Sequence, residues 1–388
     1  MSTRSTQRRI LFYVIAVAIP VITLLAIEGI LRIAGYGRSV PTFVQAPHEG
    51  YIMPNPDLVF RFVPPGVTPP TVSPDTYYIR AQKPADTVRI VVMGGSTAAG
   101  FPYGRFGSPA GILQQRLIDL YPQMNTKVVS VAMSAVNSYA LRDIASDVAE
   151  LSPDAVLIYA GHNEYLGIMG ADSAFSGPAS HVTKLTYLAL KDSRLVQLLS
   201  YLLNHDEEGP DGSQAGRTVM AQMAEHSRIP LDSAMFVNGE NQLRSNIDAV
   251  LEVFESRTIP VFLSAIVSNE KDQAPFASDP AEGIPSLSTF LNHRMAISAK
   301  VRLAEKAVSK TQNSADAHFA LARILYPDKP ALAATHFQTA RDLDLLRFRA
   351  PASFNEILKT LAGQRGAHWV LAVREGRCGR PFRAALCD

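Results

Sequence analysis

The chain has 388 residues, 47% hydrophobic and 19% charged, with Lys+Arg 37 against Asp+Glu 35 and a formal net charge of +2. That balance excludes a disordered or low-complexity protein, and without a basic excess no nucleic-acid partner is expected. The length suits one sizeable domain with accessories, or two domains. Cysteine occurs only at Cys378 and Cys387, so neither a disulfide framework nor a cysteine-rich zinc site is expected.

Residues 1–9 form a short N-terminus carrying Arg4, Arg8 and Arg9. Ile10–Ile27 follow with 18 uncharged residues, and with the stretch to Ala34 the segment is long enough to span a bilayer. Pro20 is tolerable in a membrane helix. Residues 10–34 are therefore expected to be a single-pass transmembrane anchor. By the positive-inside rule the N-terminus is cytoplasmic and the main domain extracytoplasmic, periplasmic in a Gram-negative cell. A cleaved signal peptide is the competing reading, but the core is long for one and no small-x-small site precedes Glu28. Glu28 and Arg32, at i,i+4, are expected to pair at the membrane exit.

Residues 35–86 are a proline-rich lead-in, and proline resists helix, so an extended path over the domain surface is expected. From residue 87 the pattern changes. Val88–Met93 is a short β-branched run ending in glycine, as a buried parallel strand would be. Lys127–Val131, Ala155–Tyr159 and Ile259–Ile266 repeat the pattern, and His368–Val373 is a weaker fifth run. Ala110–Leu120, Tyr139–Leu151 and Gln242–Ser256 carry apolar residues at helical spacing between them. Such alternation predicts an α/β fold with a doubly wound, parallel, five-stranded sheet. Functional groups should then lie at the carboxyl ends of the strands.

Two insertions interrupt the alternation, one within the main domain of residues 87–286 and one after it. Residues 168–240 hold a helical pair at roughly 182–204 and a polar loop, and read equally as a lid or as surface decoration. Residues 287–362 read as wholly helical, and ADAHFALARILYPDKPALAATHFQTARDLD resembles one tetratricopeptide repeat. A single unit cannot bury its own face, so it should pack on flanking helices and the main domain, and docking of a protein partner is a second reading. Asp342 and Asp344 should end the repeat helix, with Arg347 and Arg349 contacting a neighbour. Residues 363–388 hold the last strand and an atypical tail.

The sharpest chemical signal is Gly94-Gly95-Ser96-Thr97-Ala98-Ala99-Gly100 after the first strand. Glycines permit a tight strand-to-helix turn that exposes the serine hydroxyl. The run lacks a P-loop lysine, the GxGxxG register and the GxSxG elbow. After the third strand comes Gly161-His162-Asn163-Glu164, where an asparagine amide can donate to a developing oxyanion. After the second strand, residues 132–138 could aim a backbone N–H at the same place. No metal signature is present, and no cofactor is expected.

Together these three strand ends resemble the SGNH (GDSL-like) hydrolase superfamily in order and spacing, over Val88–Ser138, Asp154–Gly167 and Gln242–Ile266. Some membrane-anchored members also carry a tetratricopeptide-like segment. The resemblance implies a flavodoxin-like fold and a serine esterase acting on an ester-bearing small molecule or glycan, such as O-acyl groups of envelope carbohydrate. It makes Ser96 the nucleophile and the Ser96 N–H, the Ala135 N–H and the Asn163 amide the oxyanion hole. Gly95, Gly161, His162, Glu164 and Tyr165 fall with the pocket, Tyr165 equally with core packing. Three departures stand out: GGS replaces GDS, Ala135 stands where the family has glycine, and Glu164 replaces aspartate.

The family's Asp-x-x-His pair is missing, because no aspartate in the 388 residues is followed by histidine three positions later. Residues 374–388 have four arginines and no histidine, and His368 sits at the wrong end of its strand. Three explanations stay open, in this order: a frame shift or truncation near 363–374, a pseudoenzyme that still binds ligand, or base replacement by another histidine. His162 is nearest in sequence, with His205, His226 and His293 in insertions. Without a base, a serine loses on the order of 10²–10⁴-fold in rate. An impaired esterase is therefore the first expectation, and a membrane-anchored binding or scaffold protein the alternative.

Overall fold

The computed structural model describes residues 3–67, 69–173, 179–204, 228–281, 283–284 and 286–371. Helix α1 (Thr3–Ile33) opens the chain and continues through Pro20. Its segment Leu11–Ile33 has mean hydropathy 2.5, with no buried residue in its most apolar stretch, and is long and apolar enough to cross a membrane.

The proline-rich lead-in departs from the extended path expected of it. Strands β1 (Phe43–Gln45), β2 (Tyr51–Pro54) and β3 (Ile79–Arg80) form a small antiparallel sheet. A 3-10 turn at Leu58–Arg61 then delivers Leu58, Val59, Phe62 and Val63 to the main core. Pro54 closes β2, where the missing N–H matters least, so proline bounds these elements without preventing them.

The main sheet is five-stranded and wholly parallel. In chain order it comprises β4 (Thr87–Gly94), β5 (Asn125–Ser130), β6 (Ala155–Tyr159), β7 (Val261–Ser264) and β8 (His368–Val370). Their spatial order is β5-β4-β6-β7-β8, as expected of a doubly wound sheet with flavodoxin-like order. Helix α2 (Ser96–Ala99) follows β4, α3 (Pro109–Leu120) leads to β5, and α4 (Ser138–Glu150) leads to β6. Ser108 and Asn137 cap α3 and α4 by accepting from Gly111 N and Tyr139 N.

The alternation of β4 separates two layers. Val91 and Met93 face a large core with Tyr139, Ile144 and Val148 of α4, while Val92 faces Ala98 and Ala110 on the other side. Helices α5 (His181–Leu190) and α6 (Arg194–Asn204) match the helical pair read at 182–204. The polar loop with His205, and His226, lie outside the described residues, as do Cys378 and Cys387. Helix α7 (Ala234–Ser256) begins well before the expected Gln242, under a Ser233 cap, and packs on α4.

The helical insertion forms α8 (Leu287–Asn292), α9 (Ile297–Lys310), α10 (Ala315–Leu325) and α11 (Pro330–Asp342). Alanines 304, 307, 317, 320 and 333 close-pack them around Phe319 and Phe337 in a core of their own. The last helix of the 287–362 stretch, α12 (Ala352–Arg365), does not join that core. Its Phe354, Ile357, Leu358 and Leu361 pack in the main core beside α7. Buried Arg347 and Arg349 hold the junction: Arg347 Nε donates to Ile229 O at 2.8 Å and Arg349 Nη2 pairs with Asp344 at 3.0 Å.

Candidate active site

The site is built where β4 and β6 end side by side. A Cβ on Gly94 would collide with the Tyr159 carbonyl oxygen, so only glycine lets these strand ends approach. Gly95 is the N-cap of α2 and Ser96 its first residue. The Ser96 side chain is half-buried, and its hydroxyl has no hydrogen-bond partner among the described residues. Gly95, Ser96 and Thr97 from the β4 end meet Val136 and Gly161–Asn163 around a narrow crevice. Its space is on the order of 10 Å³, about one water. The first strand of the sheet, β4, has the second on one side and the third on the other, and in open α/β sheets ligands bind at this reversal of order.

Asn163 is buried, and its Nδ2 donates to Val136 O at 2.8 Å. The same nitrogen lies 3.0 Å from the position a Cβ on Gly95 would take. The amide therefore stands directly behind the serine turn with one hydrogen still to give. Ala135 is buried with φ +64, the left-handed conformation that glycine adopts without steric cost. Its carbonyl accepts from Ile168 N at 2.8 Å, which fixes the turn. Ser96, Asn163, Gly95, Gly161 and His162 are thus brought together, with Ala135 one residue behind the Val136 wall.

Among the described histidines, His162 alone lines the crevice. Burial pushes its imidazole down to about 4, so the ring is neutral at pH 7. Its Nε2 lies 3.5 Å from the Tyr159 hydroxyl, and no carboxylate orients it among the described residues. His181 bonds Tyr139 OH at 2.6 Å beside α4. His293 follows α8 in the helical insertion. His368 begins β8 and stacks on Phe262, at the amino edge of the sheet and away from Ser96.

Glu164 and Tyr165 lie beneath the crevice, not on its wall. Glu164 is fully buried and accepts from Ser138 N at 2.8 Å and Ser138 Oγ at 2.7 Å, so its carboxyl caps α4. Burial pushes this carboxyl up to about 7, against the lowering effect of those bonds. Tyr165 stacks between Phe236 and Phe354 and donates to Phe236 O at 3.1 Å, a core role.

The supporting residues Gln242 and Asn246 escaped sequence reading. Gln242 donates to Glu164, and Asn246 Nδ2 donates to Ser138 Oγ at 3.0 Å. Two amides at i,i+4 within the apolar stripe Leu243, Ile247, Val250 were the available signal, since a buried amide needs a buried partner.

No protein-family model matches the chain, and no curated protein matches it. Solved structures do. The chain is similar to AlinE4, a SGNH-hydrolase family esterase, at 14% identity over 48% of this chain and 63% of that one, with TM-score 0.25. It is similar to a GDSL-like lipase from Bacteroides thetaiotaomicron at 13% identity, over 73% of this chain and 67% of that one, with TM-score 0.27. TesA is matched at 14% identity over 66% of this chain and 99% of that one, with TM-score 0.25.

Proposed function

We propose that the protein is an ester hydrolase of the SGNH type in which Ser96 attacks the ester carbonyl. The observation that carries this is the shared crevice: Ser96 at a strand-to-helix turn, its hydroxyl without a partner among the described residues, with the Asn163 amide fixed behind it. In the attack, Ser96 Oγ bonds to the carbonyl carbon while its proton passes to solvent water. Negative charge develops on the carbonyl oxygen, which receives the Asn163 Nδ2–H and the Ser96 and Ala135 N–H groups. Collapse of the intermediate breaks the C–O bond to the leaving group, which takes a proton from solvent and departs as the alcohol. Water or an acceptor alcohol then adds to the acyl carbon, loses its proton to solvent, and Ser96 Oγ leaves and is reprotonated. A glycan O-acyl group outside the cytoplasm is the substrate class, given α1 as a membrane anchor with the body extracytoplasmic.

Turnover is slow as the chain stands. The 388 residues contain no Asp-x-x-His pair, and His162, with its depressed basicity and no carboxylate to orient it among the described residues, is a poor substitute base. Hydrolysis of a short-chain aryl ester by the full chain tests both parts. Slow hydrolysis lost in Ser96→Ala is the expected result. Fast hydrolysis lost in the same variant would overturn the impairment, and hydrolysis indifferent to it would overturn the esterase assignment in favour of a binding protein.

A further inference from the structure

A second cleft lies away from Ser96. It encloses ≈ 410 Å³ between the stretch leaving α1, the loop at residues 60–67, and α5–α6. That volume falls in the range of small-molecule sites, which are mostly apolar with a few placed polar groups. The walls include Phe60, Val63, Tyr187 and Val196. They are held in place: Tyr187 OH donates to Val63 O at 3.1 Å, and Gln197 brackets Arg38 by accepting from its N–H at 3.0 Å and donating to its carbonyl at 2.8 Å.

The charges around it divide into neutralised and unneutralised groups. Arg61 pairs with Asp143 and Asp147, and Lys191 pairs with Asp143 at 2.9 Å and lies 3.9 Å from the exposed Asp192 on the cleft wall. Arg38 has no carboxylate partner among the described residues; its exposed guanidinium lies over the Phe60 ring at 3.7 Å. The Arg194 guanidinium, beside it, donates to Gln197 and Ser39 at 3.2 Å each and has no carboxylate partner among the described residues. Two cations without a carboxylate partner among the described residues therefore stand at the cleft, Arg38 on its wall and Arg194 at its edge beside Gly37.

The stretch that begins the cleft wall at Tyr36 directly follows the end of the apolar span. Glu28, inside Leu11–Ile33, accepts from Arg194 N at 3.0 Å, Leu195 N at 2.9 Å and Ser193 Oγ at 3.0 Å, which fastens the start of α6 to α1. Beyond that joint α6 leaves Leu199, Leu202 and Leu203 exposed. Tyr36, on the cleft wall, follows Ile33 by three residues.

We propose that this cleft takes one anionic phospholipid from the membrane, its acyl portion against Phe60, Tyr187 and Val196 and its phosphate at Arg38 and Arg194. The proposal rests on α1 lying in a bilayer, and is independent of the chemistry at Ser96.

The full chain in nanodiscs doped with phosphatidylglycerol carrying a diazirine on its acyl chain, mapped by peptide mass spectrometry after illumination, tests it. The expected adducts fall in the peptides spanning 58–67 and 181–204, as well as on α1. Labelling there should exceed that by a matched phosphatidylcholine probe by about fivefold per guanidinium engaged, the equivalent of about 1 kcal/mol each at a charged surface. Arg38→Gln should bring the two probes close together, and Val196→Trp, checked for an unchanged melting temperature, should remove the cleft adducts and leave those on α1. Adducts confined to Leu11–Ile33 in the wild type overturn the proposal alone. No adduct on α1 either overturns the membrane placement and the proposal with it. Equal labelling by both probes overturns the assignment of the anion to Arg38 and Arg194.

Discussion

The side-chain amide of Asn163 donates a 2.8 Å hydrogen bond to the carbonyl of Val136, tying the loop after β6 to the loop after β5. Both loops flank Ser96, so one bond sets the width of the crevice and spends one of the two amide hydrogens on structure. The remaining hydrogen is what an oxyanion can use. On the proposed chemistry, stability and catalysis are therefore coupled at this residue.

Asn163→Ala should cost about 1–3 kcal/mol, because a buried carbonyl loses its donor. It should also lower any Ser96-dependent rate by about 10²–10³-fold. Gly95→Ala separates the two effects: its Cβ would press on Asn163 Nδ2 at 3.0 Å, so the rate should fall while the bond to Val136 shifts but survives. Urea melts beside ester hydrolysis check both. An Asn163→Ala enzyme as fast as the wild type would remove the amide from the oxyanion hole.

Ala135→Gly should stabilise the protein. A left-handed alanine is strained by about 1–2 kcal/mol, and glycine loses roughly 0.5–1 kcal/mol of that through unfolded-state entropy, leaving a gain on the order of 0.5–1 kcal/mol. A higher urea midpoint at unchanged slope is the expected readout. A lower midpoint would mean that the methyl group contributes packing that outweighs its strain.

The pH dependence of stability has opposing contributions from two neighbours. His162 is pushed down to about 4, below its ordinary 6.5, so its contribution is complete above pH 6.5 and lost as pH falls towards 4. Glu164 is pushed up to about 7, so its contribution is complete below about pH 4.5 and lost as pH rises through 7. Each is on the order of 1–3 kcal/mol. His162→Asn should flatten the acid limb of a melting-temperature profile and Glu164→Gln the limb between about pH 4.5 and 7. Profiles parallel to the wild type in both variants would contradict these assignments.

Glu28→Ala removes the acceptor of two N–H groups at the start of α6. A lost cap of this kind costs about 0.5–2 kcal/mol locally. Amide hydrogen exchange of residues 194–198 in nanodiscs should accelerate, with β4 and β6 unchanged. Unchanged exchange in α6 would mean that packing alone holds it to α1.

Much of the frame was legible in the residues. The β-branched runs ending at Met93, Val131 and Tyr159 were close to the observed strands, because buried parallel strands need apolar side chains on both faces. Ser96 and Asn163 were legible because each follows such a run at a glycine. The small sheet at Phe43–Arg80 was not, since its strands of two to four residues are too short to show alternation. Nor was the allegiance of α12, because a helix that buries Phe354 and Leu358 carries the same pattern whichever core receives it. The depth of Glu164 was hidden for a different reason: its partners Ser138 and Gln242 come from elsewhere in the chain, and only the fold brings them together.

The most direct measurement of the central claim is covalent labelling of the full chain by a fluorophosphonate, followed by peptide mapping. A Ser96 hydroxyl backed by Asn163 but lacking a strong base should be labelled slowly and at Ser96 alone. Labelling should vanish in Ser96→Ala and slow further in Asn163→Ala. Absence of any Ser96 adduct under conditions that label an ordinary serine esterase, or an adduct on another serine that persists in Ser96→Ala, would contradict Ser96 as the nucleophile.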